Sequence, residues 1–178
     1  GVDTKEMTRH ELRDRFGMVL QDAWLFEGSI RDNIAYAQDN LPEEKIIAAA
    51  RSASVDSFIK TLPGGYDFEL STGAENISQG QRQLLTIARA MASDPEIMIL
   101  DEATSNVDTH TEQLIQKALA KLMHGRTSFV IAHRLSTIRD ADMILYMEHG
   151  DILEHGSHEE LMAQHGKYEA LYMSQFAQ

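Results

Sequence analysis

Short apolar runs alternate along the chain with longer stretches whose apolar positions recur every three or four residues. The runs are "MVLQ" (18–21), "EIMIL" (96–100) and "TSFVIAH" (127–133), the second entered through Asp94-Pro95. A continuous apolar run bounded by polar residues predicts a strand buried on both faces. Helical spacing marks "HELRDRFG" (10–17), "NLPEEKIIAAARSA" (40–53), "ISQGQRQLLTIARA" (77–90) and "THTEQLIQKALAKLMHG" (109–125). Asn40 is expected to cap the second of these, with Pro42 in its first turn. In the last, Leu114, Ile115, Ala118, Leu119 and Leu122 form one stripe, ended by Gly125. "SIRDNIAYA" reads as helix or turn, and residues 62–76 as irregular. "ADMILYMEHGDILEHG" (141–156) predicts two short strands turning at His149-Gly150, and two helices close the chain. Strands separated by helices predict an α/β fold, a parallel sheet flanked by helices.

In such sheets ligands bind beyond the carboxyl ends of the strands. There the three apolar runs end in Gln21, in Asp101-Glu102 and in His133. Two adjacent carboxylates repel unless a cation or proton sits between them and solvent. An aspartate at a strand end suits Mg²⁺, directly or through water, and a glutamate beside it can polarise an attacking water. The plainer alternative is a helix N-terminus, where acids favour the dipole.

The stretch 77–90 raises its own question, since glycine in a first helical turn costs roughly 1 kcal/mol against alanine. Ser78 and Gln81 have capping-box spacing, and Gly80 would let a ligand approach the backbone. A helix N-terminus with free N–H groups and a serine hydroxyl is an anion site. Beyond it Leu84, Leu85, Ile87 and Ala88 are expected to face the core, while Arg82 and Arg89 read as surface charges or interdomain contacts.

Composition narrows the partners. The 178 residues carry 16 Lys+Arg against 28 Asp+Glu, a net charge of −12. This argues against nucleic acid, which needs a basic face, but leaves room for a nucleotide held by a local positive site. Cysteine is absent, so no disulfide or thiolate-metal framework is available. No apolar run approaches the roughly 20 residues that span a bilayer, and no signal peptide opens the sequence. Three histidines near 149–158 lie among glutamates at no spacing that suits zinc, and a solvated polar turn is the favoured reading.

"ISQGQRQLLTIARAMASDPEIMILDEATSNVD" resembles the signature motif, its helix, the Walker B strand and the D-loop of an ABC-transporter nucleotide-binding domain. The resemblance runs over essentially the whole chain, and its closing text is most similar to the exporter branch. The family's signature Leu-Ser-Gly-Gly-Gln stands here as Ile77-Ser78-Gln79-Gly80-Gln81, with Gln79 replacing the first glycine. Gln21 resembles the Q-loop glutamine and His133 the switch histidine. The resemblance implies ATP and Mg²⁺ as ligands, with Asp101 and Gln21 approaching the metal, Glu102 activating water and His133 contacting the γ-phosphate. It implies that Ser78, Gln79, Gly80 and Gln81 act on ATP held by a second nucleotide-binding domain, and that Asp108 crosses the interface. The implied partners are that second domain, as homodimer or heterodimer, and transmembrane domains, with the chain at the cytoplasmic face of the membrane. Trp24, Leu25 and Phe26, after Gln21, either dock onto membrane-domain loops or pack in the core.

No Gly-x-x-x-x-Gly-Lys-Ser/Thr occurs in these residues. The resemblance therefore implies the C-terminal portion of an ABC ATPase domain: a helical subdomain over about 27–92, with 1–26 and 93–178 as parts of the catalytic core. Residues 1–178 alone are expected to bind ATP poorly, to be inactive as an ATPase, and to hide the edges of "EIMIL" and "TSFVIA" by association. A soluble ABC-type ATPase of DNA maintenance or translation, and a non-catalytic fragment that only folds and associates, remain as alternatives.

Overall fold

Thr8 opens the first helix, α1 (Arg9–Asp14), with a reciprocal capping box: its hydroxyl accepts from Glu11 N–H, and the Glu11 carboxylate accepts from Thr8 N–H. The computed structural model describes residues 2–36, 38, 40–101, 107–132 and 135–176. They divide into two units, 1–130 and 131–178.

In the first unit α1 leads into strand β1 (Phe16–Val19). A two-residue strand β2 (Gly28–Ser29) then precedes α2 (Ile30–Ala35), which Ser29 caps. α3 (Glu43–Ser52) and the short α4 (Asp56–Ile59) follow, then β3 (Glu69–Leu70), antiparallel to β2. α5 (Gln79–Ser93) ends at Asp94 in the left-handed conformation, and β4 (Ile97–Asp101) starts three residues on. α6 (Thr109–Met123) and β5 (Thr127–Ile131) complete it. Arg126 ties the end of α5 to the entry of β5, pairing with Asp94 at 3.0 Å and donating to the Pro95 carbonyl.

The sheet order is β1-β4-β5, with β1 and β4 parallel and Val19 opposite Leu100. Helices α2, α3 and α6 pack on α5, which also packs on β1. The core between them holds Ile30, Ile34, Ile59, Leu85, Ile87, Met98 and Ile115, all fully buried. Each such side chain contributes roughly 1.5–3 kcal/mol by leaving water. The amphipathic reading of α5 and α6 is met: Leu84, Leu85, Ile87 and Ala88 are buried, as are Ile115, Ala118, Leu119 and Leu122.

The strands depart from expectation. In β4 only Met98 and Leu100 are buried, in register with Gly17 and Val19 of β1 on the face toward α5. The opposite face leaves Phe16, Met18, Phe129 and Ile131 exposed. The strands are therefore buried on one face, not two. β4, expected to present an open edge, is flanked by β1 and β5. Asn40 does not cap α3: it sits at φ 63, and Pro42 occupies the cap position with no side-chain bond. Asn tolerates the left-handed region, while Glu43 and Glu44 in the first turn complement the dipole instead.

The second unit holds α7 (Leu135–Arg139) and the hairpin of β6 (Ile144–Glu148) and β7 (Asp151–Gly156). His149 and Gly150 turn it with φ of 55 and 90, as a two-residue hairpin loop demands. α8 (His158–Ala163) has a capping box from Ser157 to Glu160. The Glu154 carboxylate accepts from the N–H groups of Lys167 and Tyr168, capping α9 (Lys167–Phe176). The imidazole of His158 meets the Tyr168 hydroxyl at 2.8 Å. Among the described residues no helix is long and apolar enough to cross a membrane, and no three His, Asp or Glu side chains converge to hold a metal.

Candidate functional site

Because β1 and β4 are parallel neighbours, Gln21 and Asp101 leave the same end of the sheet. Val19 stands opposite Leu100, so Asp101 ends β4 level with Leu20, one residue before Gln21. Gln21 is exposed in a bend, and Asp101 is half-buried. Glu102 and His133 lie outside the described residues. The three-strand order sets β5, which leads toward His133, beside β4.

The start of α5 is built as its spacing predicts. Ser78 Oγ accepts from Gln81 N–H at 3.2 Å, and Gln81 Oε1 accepts from Ser78 N–H at 2.8 Å. The serine hydroxyl keeps its proton for a further acceptor. The first turns of α3, α6 and α8 carry acids, Glu43 and Glu44, Glu112, and Glu159 and Glu160, whereas that of α5 carries none. Its positive end is thus left without a side-chain counter-charge. Ser78 is exposed, Gln79 and Gln81 are half-buried and Gly80 is buried.

Gly80 has a packing reason of its own. A Cβ there would overlap Thr111 Cγ2 and stand 3.1 Å from Val107 Cγ1. The glycine that pattern reasoning assigned to ligand approach lets the first turns of α5 and α6 meet. Asp108 caps α6, its carboxylate accepting from Thr111 N–H at 3.0 Å. That backbone bond, above all, holds the Asp108 carboxyl below the usual carboxylate range. Ser78 and Asp108, 30 positions apart in sequence, therefore cap two helices that touch at their first turns.

The first 105 residues match the model of the ABC transporter family. The chain belongs to that family. It is 54% identical over 94% of its length to the fatty acid ABC transporter ATP-binding/permease protein of Mycobacterium tuberculosis, covering 27% of that protein. Over 98% of its length it is 49% identical to the ATP-dependent lipid A-core flippase of Desulfotalea psychrophila, covering 31% of it. Its fold matches the solved structure of a bacterial Atm1-family ABC exporter with ATP bound, with a TM-score of 0.86 and 40% identity over 97% of this chain and 30% of that one. The chain thus spans under a third of the length of these relatives and resembles the ATP-binding portion of ABC exporters.

Sequence reasoning missed the work of the two arginines. Arg82 donates to the carbonyls of Ala74 and Ile77, bracing the loop that leads to Ser78. Arg89 reaches the segment after Gln21, bonding Asn33 and the Trp24 carbonyl. Of the residues following Gln21, Leu25 is core at 2% exposure and Trp24 is 60% exposed, so core packing describes Leu25 and not Trp24. An arginine on an amphipathic helix gives no sign of a partner many residues away, and only the partly buried position of Arg89 in the fold reveals it.

Proposed function

We propose that this chain is part of the ATP-hydrolysing motor domain of a membrane exporter, working at a head-to-tail interface with a second such domain. The observation that carries the reading is the parallel pairing of β1 and β4, which sends Gln21 and Asp101 out of one sheet end. The bare positive end of α5 supports it, since an anionic phosphate is the complement that its first turn lacks. A carboxylate and an amide at one sheet end are oxygen donors of the kind that fit Mg²⁺, which takes one or two carboxylates plus phosphate oxygens and keeps several waters.

When bound, Mg²⁺ would neutralise charge on the transferring phosphoryl group. Asp101 would hold the metal through water, the commoner way for this ion. Glu102 accepts a proton from, and orients, the attacking water. His133 would donate a hydrogen bond to the γ-phosphate, and Gln21 would approach the metal. Ser78 Oγ–H and the N–H groups of Gln79 and Gly80 face ATP held by the partner domain, with Gln81 holding Ser78 in place through the capping box, and Asp108 lies at the same interface. Transmembrane domains of the same or a partner chain supply the transport path, which places the motor at the cytoplasmic face.

The test is Glu102→Gln in the full-length protein. Hydrolysis falls by about 10³ or more while ATP–Mg²⁺ binding persists, because the amide removes the base and spares Asp101. His133→Ala lowers turnover strongly as well. Turnover of either variant within a few-fold of the parent overturns the assignment.

A further inference from the structure

Arg89 sits in a cage that the proposed motor chemistry does not use. Its Nε donates to the Asn33 carbonyl at 2.8 Å, Nη2 to Asn33 Oδ1 at 3.0 Å and Nη1 to the Trp24 carbonyl at 3.0 Å. The guanidinium lies 4.8 Å from the Tyr36 ring centroid and 6.0 Å from that of Trp24. These acceptors are all uncharged. Burial pulls the guanidinium pKa below the ordinary arginine range, as expected for a cation taken from water. Such a placement is costly unless the fork-shaped donor array is what the site needs.

Asn33 extends the grip. It is fully buried, its Oδ1 also accepts from Phe26 N–H, and its Nδ2 donates to the carbonyls of Phe26 and Ser29. The segment from Trp24 to Ser29 has only the two residues of β2 as regular structure. Glu27 and β2 are tied to the neighbourhood of β3, while the backbone of Trp24 and Phe26 is bonded by Arg89 and Asn33. That segment begins three residues after Gln21, and Arg89 stands on the same helix that Ser78 opens. Resting on the motor reading, we propose that Arg89 is a positioning residue: it clamps the segment after Gln21 to α5, so that Gln21, at this chain's own metal side, and Ser78, which faces the partner's ATP, move as one body. A straight helix carries displacement rigidly along the roughly 16 Å from Arg89 to Ser78.

The experiment is hydrogen exchange and steady-state kinetics on the full-length protein carrying Arg89→Lys or Arg89→Met. Lysine keeps the charge but lacks the planar fork. Amides of 24–36 are expected to exchange about tenfold faster in both variants while α3 and α6 keep the parent rates, a local rather than global opening. The kcat for ATP falls about tenfold with KM within twofold, as for a displaced but otherwise intact group. Should Arg89→Met not fold, Tyr36→Leu removes the ring beside the guanidinium together with its contacts to Trp24 and Phe26, and speeds the same amides about threefold. Unchanged exchange at 24–36, a uniform rise through α3 and α6, or an unchanged kcat despite local loosening overturns the proposal. A parent that hydrolyses no ATP overturns the motor reading instead, and the exchange result still decides the clamp.

Discussion

Gly80 in α5 and Thr111 in α6 meet with no room for a side chain between them: a Cβ on Gly80 would overlap Thr111 Cγ2. The two helix starts are locked by this contact, with Val107 on its flank. Gly80→Ala should destabilise the domain by about 1–3 kcal/mol, the cost of overpacking, although alanine is the better helix former. Thr111→Ser, which deletes the offending methyl, should recover at least half of the loss in the double variant. Urea unfolding of the four proteins checks it. A Gly80→Ala protein as stable as its parent would show that α6 yields freely.

Ser78 serves the helix and, on the motor reading, the nucleotide, and two substitutions separate these. Ser78→Ala removes the acceptor for Gln81 N–H and should cost about 1 kcal/mol. Ser78→Asp keeps an acceptor and suits the helix dipole, so stability should hold, yet its charge repels a phosphate and ATP turnover should collapse. Thermal melts and ATPase assays on the full-length protein decide. Full turnover in Ser78→Asp would remove Ser78 from the phosphate.

Asp56 provides a pH signature of the fold. Its carboxylate accepts from Lys60 Nζ and from the Tyr66 hydroxyl, each at 2.7 Å, with Arg51 at 3.5 Å. The Lys60 bond is the main cause that lowers its pKa from the ordinary 3.8, and burial opposes it. A depressed carboxyl pKa contributes stability that is complete above the unfolded value and is lost as pH falls through the folded one. Asp56→Asn should therefore be less stable than the parent at neutral pH, and the gap should close below about pH 4. Denaturation midpoints measured from pH 7 to 3 test this; a gap that stays constant contradicts it.

The capping box of Ser78 and Gln81, the stripe of α6 and the hairpin at His149-Gly150 were all legible in the sequence. Each depends on residues within a few positions of one another, where helix or turn geometry alone decides who meets whom. The end of β4 at Asp101 was legible too, because an apolar run that stops at a polar residue marks its own boundary, whereas β1 ends at Val19, two residues before Gln21. The two-sided burial assigned to those runs was not met, since apolarity states that a face can be covered and not which faces are. Asn40 misled for a related reason: asparagine suits both a cap and the left-handed conformation, and the chain's path into Pro42 chose the second.

What the sequence by itself determined was the local vocabulary: helices, caps, turns, strand ends and the order of family-like motifs. What only the tertiary structure decided were pairings with no periodic trace. Arg89 finds Asn33 across 56 positions, and Gly80 owes its missing side chain to a threonine on another helix. The physical reason is that such contacts are fixed by close packing of whole elements, and a one-dimensional pattern carries no term for the space between them.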